Sequence, residues 1–542
     1  MRFSQETGAA MQRHSQATPP AIDQLTSRTW SFRREILWSL LWAGLILGPL
    51  ANSPLVAQEN PSSQAAAWQL SDRIDAQFVQ RHGPMASWPM ASDTEFLRRV
   101  YLDLTGRNPT PAEVRQFLED NRPDKRRLWI DSLIQSTAFA ARLADSWTRM
   151  LVGEGRISAG LSDRSRRHLR TWLMQRFAAN QRYDRVVADL LMSKGEGEVS
   201  PIAFFVAQEF QPEKLAEKSC RVFLGLSLDC AQCHDHPFAA WKQEDFWGVA
   251  AYFAQIQVDG QMMAPGSLPS LSDLGTGDVK LPDSQQIIPP KALTNHLGAS
   301  TARGTRRQQL ALWLTNRDNP WFAANAANRM WAMLMGEGLI EPIDQLPIDS
   351  KEIPETLSLL ADDFRASRYD LRRLVRAVAG TRWYGRSSSS EAASALRMPA
   401  KPLTGDQMAA TLRDIARDVA GETDNDLWAS LAQQLGALRA ARSDYAGDVL
   451  QALQLQNGPS LDQLVNEASS RLLKALQAPH LKRSKRLEEL FWLVLARPPH
   501  PKEQEAIESL QNTASGDPEK DLSIEEDLLW ALLNSTEFAM TP

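Results

Sequence analysis

Cysteine is scarce in this chain: Cys220, Cys230 and Cys233 are all that 542 residues contain. Three thiols cannot staple a disulfide scaffold. Charge of either sign in excess is also lacking. Sixty Lys and Arg stand against 65 Asp and Glu, the net charge is −5 and the pI is about 6.0. Such a chain has no global field for a polyanion, so no nucleic-acid partner is expected. Its local basic runs (Lys125-Arg126-Arg127, Arg164 with Arg166-Arg167, Lys482-Arg483 with Lys485-Arg486) sit inside amphipathic patterns and read as solvated helix faces. No phosphate-binding glycine loop appears. His82, His168 and His296 lie in no nucleophile motif, and acidic pairs such as Asp362-Asp363 and Glu525-Glu526 read as helix surface, so no hydrolase is indicated. Strand-like alternation is rare throughout. What remains is a folded, helix-rich chain, 43 % hydrophobic and 23 % charged.

One apolar run stands out near the start. Residues 1–30 are polar and without pattern; Arg33-Arg34 then precedes Ile36–Leu47, Pro49 and Pro54 break the run, and Leu55-Val56-Ala57 offers a small residue for cleavage. This is the n-region, h-region and cleavage site of a secretory signal, and residues 1–57 are assigned to it. The core is short for a spanning helix, though an uncleaved membrane anchor is the competing reading. In either case the body of the protein is expected outside the cytoplasm, in the periplasm or cell envelope.

The densest chemistry lies at Cys230-Ala231-Gln232-Cys233-His234, continuing into Asp235-His236-Pro237-Phe238. C-x-x-C-H is the attachment pattern of haem c. Two thiols one turn apart reach the two vinyl groups on one porphyrin edge, and the next residue, His234, lies under the iron as its ligand. Haem attachment is completed outside the bacterial cytoplasm, in agreement with the export signal. Cys220 is then left single. A zinc site is the competing reading of Cys-x-x-Cys-His-x-His, but the common structural zinc patterns need a second ligand pair, and there is none. The same residues are also compatible with a disulfide or with an unmodified loop.

Helical spacing governs the rest. Leu70, Ile74 and Phe78 recur every four residues. Ser92 or Asp93 opens a helix that Gly106 ends. Thr110-Pro111-Ala112-Glu113 reads as an N-cap, a proline at the first helical position and a capping box. Further helices are predicted at about 126–136, 138–152, 164–179, 184–193 and 212–226. Another is expected at about 243–256, where Phe246, Val249, Ala250, Phe253 and Ile256 would form an apolar stripe, read either as ordinary packing or as one wall of a haem crevice. Residues 258–302 lack a sustained period and read as an irregular linker. A second helical region, 303–542, follows, with Asp318-Asn319-Pro320 capping a helix to about Met335. The fold class is therefore all-α: two multi-helix domains, 66–257 and 303–542, joined by that linker. One internal repeat is visible. Arg107-Asn108-Pro109-Thr110-Pro111-Ala112-Glu113 is echoed by Arg497-Pro498-Pro499-His500-Pro501-Lys502-Glu503, and each copy leads to Leu-x-x-Ser-Thr-x-Phe, at Leu133–Phe139 and Leu532–Phe538. It reads as one helical hairpin unit used twice, with a structural role.

These motifs carry a family resemblance. Arg98-Arg99-Val100-Tyr101-Leu102-Asp103-Leu104-Thr105-Gly106, Phe223-Leu224-Gly225 and the cysteine motif resemble the planctomycete cytochrome-like domain. Asp318-Asn319-Pro320, Asn328-Arg329-Met330-Trp331, Gly336-Glu337-Gly338-Leu339 and Leu532–Phe538 resemble the domain of unknown function that usually follows it. The resemblance implies an exported, cytochrome-like protein whose biochemical role is unassigned. Relatives often have His where this chain has Met333, which makes Met333 a candidate sixth haem ligand, against the plainer reading of a core methionine. Met262 and Met263 compete for that role. His236, too close to His234 to reach the opposite face, suits a propionate or supporting contact. Two functions are in view. One is a c-type haem protein transferring electrons to a redox partner of unknown identity. The other is a non-haem surface module that binds a glycan or a partner, some of its seventeen tryptophans being exposed.

Overall fold

The four-residue spacing of Leu70, Ile74 and Phe78 does build a helix, α1 (Pro61–His82), whose apolar face is buried. The computed structural model describes residues 61–153, 163–195, 199–235, 240–259, 269–282, 284–294, 304–389, 396–417, 465, 470–477, 482–513 and 518–542. The expected export segment at 1–57, His236, Met262 and Met263 lie outside the described residues. Helices α2 (Asp93–Thr105), α3 (Pro111–Glu119), α4 (Lys125–Gln135), α5 (Thr137–Val152), α6 (Asp163–Ala178), α7 (Tyr183–Leu191), α8 (Ala203–Ala207), α9 (Pro212–Ser219) and α10 (Gln243–Ala250) follow. Two antiparallel ribbons come next, β1 (Ile256–Asp259) with β2 (Ser270–Asp273) and β3 (Val279–Lys280) with β4 (Ile287–Ile288). Then come α11 (Arg306–Leu314), α12 (Phe322–Met335), α13 (Glu355–Ala366), α14 (Leu371–Ala379), β5 (Lys401–Pro402) and α15 (Gly405–Arg417). The chain continues through α16 (Arg471–Leu476), α17 (Arg483–Leu495), α18 (Pro501–Thr513), α19 (Pro518–Leu533), α20 (Thr536–Ala539) and β6 (Met540–Thr541), which pairs with β5. The protein is all-α, with only short two-stranded ribbons among the described residues.

The helix ends follow local chemistry. Ser92 accepts from the Glu95 amide, and Gly106 closes α2 at φ +75°. Thr110 and Glu113 form the reciprocal capping box on α3; each such cap contributes about 1 kcal/mol. Asn319 Oδ1 accepts from the amides of Trp321 and Phe322, so the polar turn starts α12. Gly336 ends it at φ +94°.

Two stretches differ from their sequence reading. The helix expected over 243–256 stops at Ala250. Phe253 stays buried in a turn, while Ile256 enters β1, where it pairs with Asp273. Its β-branched Ile256 and Val258 suit an extended strand better than another helical turn. The stretch read as an irregular linker holds both ribbons, anchored by buried Leu271, Val279 and Ile288. These runs are too short for a period of two to register.

The described residues, all within 59–542, pack as one unit, fastened through α2. Arg99, its side chain wholly buried, donates to the carbonyls of Tyr384 and Arg386 at 2.7 Å each, to Pro542 O at 2.6 Å and to Glu95 at 2.9 Å. Arg98 reaches Phe538 O, 440 residues away, at 3.1 Å. Asp103 accepts from the Tyr384 hydroxyl at 2.7 Å and from Lys401 at 2.5 Å. Helix α1 lies along α14, where Ser71 donates to Ala377 O at 2.7 Å and Gly380 leaves room for the Trp68 ring. Elements from both helical regions thus share the main apolar core. A second cluster joins Leu102 and α15 to α16, α17, α19 and Phe538.

The repeat is structural. Arg107 pairs with Glu113 and Arg497 with Glu503, each through two guanidinium nitrogens. Ser136 and Ser535 cap their helices identically, accepting from Phe139 N and Phe538 N while donating to Leu133 O and Leu532 O. The copies dock on each other: Asn108 donates to Val494 O at 2.7 Å and Arg115 pairs with Glu489 at 2.8 Å.

Candidate functional site

The cysteine loop hangs between two helices of the first region. After α9 the chain tightens into a π turn over Cys220–Leu224, and Gly225 reverses it at φ +67°. A side chain at Gly225 would come within 2.7 Å of Asn325 Oδ1 and 3.0 Å of Leu346, so this reversal needs glycine. Buried Leu226 and Leu228 carry the chain to a 3₁₀ turn, Asp229–Gln232, which holds Cys230 and buried Ala231. Arg221 forms an ion pair with Asp229 at the turn's start.

Helix α10 holds the loop from behind. Gln243 Nε2 donates to the carbonyls of Gln232 and Cys233 at 3.2 and 3.0 Å, and Trp247 Nε1 to Gln232 O at 3.1 Å. The Gln243 amide donates to Asp235 Oδ1 at 2.9 Å. What this cradle presents outward is Cys230, Cys233, His234 and Asp235, all exposed. All three cysteines are free, and Cys220 alone is buried. Burial, helped by nearby Glu217, pushes the Cys220 thiol up to about 12, so it stays protonated and inert. His234 Nδ1 lies 2.8 Å from Asp235 O. A carbonyl only accepts, so the proton sits on Nδ1 and the Nε2 lone pair is free.

Two exposed thiols in C-x-x-C spacing, followed by an imidazole whose Nδ1 is engaged by a carbonyl, are the donor types that attachment of haem c uses. Any macrocycle held here would have its sulfur edge at the protein surface. Phe246, Val249 and Ala250, the stripe read as a crevice wall, are buried in the main core. Among the described residues, no group of three or more His, Cys, Asp or Glu is arranged to hold a metal ion by itself.

Met333 is placed elsewhere. It lies half-buried on α12 and lines a cavity of about 340 Å³, to which no residue of 230–235 contributes. The cavity's charged walls, Asp103, Arg142, Arg149, Arg329 and Lys401, were not singled out in the sequence. Asp103 and Arg329 do fall inside the family motifs. Arg142, set among Ala140, Ala141, Leu143 and Ala144, gave no local signal. Tryptophans do not cluster at the surface: among the described residues Trp530 alone is exposed. No described helix is long and apolar enough to cross a membrane.

Comparison with family models matches residues 72–258 to PSCyt2, a protein of unknown function (DUF1549), and residues 306–429 to PSD1, a protein of unknown function (DUF1553). No curated protein and no solved structure matches. The first match contains α2 and the cysteine loop; the second contains α12, Tyr384 and Lys401, to which α2 is fastened. The chain thus carries a PSCyt2 region followed, in N-to-C order, by a PSD1 region.

Proposed function

We propose that this protein is an exported c-type haem protein that transfers single electrons at the cell envelope. One conjunction carries the reading: exposed Cys230 and Cys233 in C-x-x-C spacing, followed by His234 with Nδ1 engaged by Asp235 O and Nε2 left to ligate. Cys230 and Cys233 would hold the group as two thioethers, each S–H adding across one vinyl group with sulfur and hydrogen both retained, so the attachment would need no oxidant. A haem held there supplies a one-electron couple whose potential follows axial ligation, hydrogen bonding and exposure. Gln243 and Trp247 fix the loop backbone, and the Asp235 carbonyl orients the imidazole. The outward position of the loop suits exchange with a docking redox protein. The signal-like pattern at 33–57 supports an extracytoplasmic location.

A second reading, a non-haem surface module, draws on the same cradle, because Gln243 and Trp247 satisfy the loop carbonyls without any cofactor. His234→Ala separates the two in protein made by a host with haem c maturation machinery. Loss of the haem, or a changed visible spectrum, is expected of the variant. A spectrum identical to wild type would remove His234 from the site.

A further inference from the structure

The cavity of about 340 Å³ is lined by α2, α5, α12 and the β5 segment, and no residue of 230–235 contributes to it. Its size is at the lower end of small-molecule sites, roughly 300–1,000 Å³. Most of its charges are paired within the protein. Lys401 donates to Asp103 at 2.5 Å and to Leu334 O at 2.6 Å. Arg149 pairs with Asp406, and Arg329 with Asp344.

Arg142 is the exception. It is 7 % exposed, and its Nε and Nη1 are buried without a hydrogen-bond partner. Its stem is packed over Gly106, where a side chain would come within 3.1 Å of Arg142 Cδ. Asp103, Asp145 and Asp406 attract it from neighbouring positions and Arg149 repels it; Asp145 is already held by Arg170. Burial above all, and then Arg149, pushes the guanidinium down to about 10, so it remains charged at neutral pH. Counting pairs, the cavity holds one cation in excess. Unpaired buried guanidinium nitrogens normally find an acceptor, and the lining also includes apolar Met150, Met330, Met333 and Ile343.

We propose that this cavity binds a small organic monocarboxylate, its carboxylate on Arg142 and its apolar body against the methionines. A guanidinium matches a planar carboxylate, and methionine walls adapt to varied apolar shapes. A phosphate ester, at about −1.5 to −2, would exceed the single surplus charge and face the Asp103 carboxylate.

Isothermal titration calorimetry of the purified full chain tests this with sodium hexanoate, against inorganic phosphate, hexan-1-ol and hexylamine. Hexanoate is expected to saturate a single site that the other three do not fill. Arg142→Gln should weaken it by roughly tenfold or more, the loss of a hydrogen bond to a charged group. Ala332→Leu, which fills the cavity and leaves the guanidinium in place, should abolish binding and serves as the control if Arg142→Gln folds poorly. Absence of hexanoate saturation, equal affinity in Ala332→Leu or in folded Arg142→Gln, or tighter binding of phosphate or hexylamine would overturn the proposal.

Discussion

Asp103 joins the two halves of the molecule, and its removal has a calculable cost. Its side chain is 2 % exposed; one oxygen accepts from Tyr384, wholly buried, and the other from Lys401, 14 % exposed. Both donors come from the PSD1 match, 281 and 298 residues away in sequence. Asp103→Asn keeps the shape but offers one acceptor oxygen to two donors, and its amide must face the other. It also leaves Lys401 buried without its counter-charge. Breaking one side of a buried pair costs about 3–5 kcal/mol. Lys401→Met strands the carboxylate instead and should cost a similar amount. In the double variant the remaining Asn oxygen can serve Tyr384 and no charge is left over, so its cost should fall below the sum by roughly 2–3 kcal/mol. Urea midpoints followed by tryptophan fluorescence and far-UV circular dichroism measure all four proteins. A single Asp103→Asn within about 0.5 kcal/mol of wild type, the range of an indifferent surface substitution, would refute the reasoning, as would strict additivity.

Three further outcomes follow from particular residues. Ala496 closes α17 at φ +56°, the place Gly106 takes in the first repeat at φ +75°; Ala496→Gly should raise stability by about 0.5–1 kcal/mol, while Gly106→Ala lowers it, both read from denaturant midpoints. Thiol titration of the reduced, haem-free protein should find Cys230 and Cys233 reactive at once and Cys220 only after denaturation; three fast thiols would contradict the burial of Cys220. In both repeats burial pushes the Glu113 and Glu503 carboxyls up, but hydrogen bonds led by Arg107 and Arg497 outweigh it and hold them below the ordinary 4.5. The stability they supply is therefore complete above pH 4.5 and lost as pH falls through the lowered values. Glu113→Gln/Glu503→Gln should flatten that acid limb of the urea-midpoint profile.

Local chemistry was legible in the sequence and distant contacts were not. Ser92, Gly106, Thr110 with Glu113, and Asn319 act within a few residues of themselves, so caps could be read directly. The repeat was visible because its arginine–glutamate clamp and serine cap need fixed spacings. The end of α10 was missed because pairing of Ile256 with Asp273, seventeen positions further along the chain, decides it. The fastening of the two regions rests on contacts such as Arg98 with Phe538, which no periodicity encodes. At the cysteine loop the residue types and spacing were evident, but their outward position and the support from Gln243 and Trp247 were not. The case for Met333 as a ligand rests on residue types in the family; its place in the Arg142 cavity depends on how α5 meets α12.

Covalent haem is tested most directly by the pyridine haemochrome spectrum of the protein made with haem c maturation machinery, taken after acid–acetone extraction. A c-type α-band that survives extraction, and is absent from Cys230→Ala/Cys233→Ala, is the expected result. A colourless, normally folded wild-type protein would contradict it and leave the loop as a structural element of a surface module.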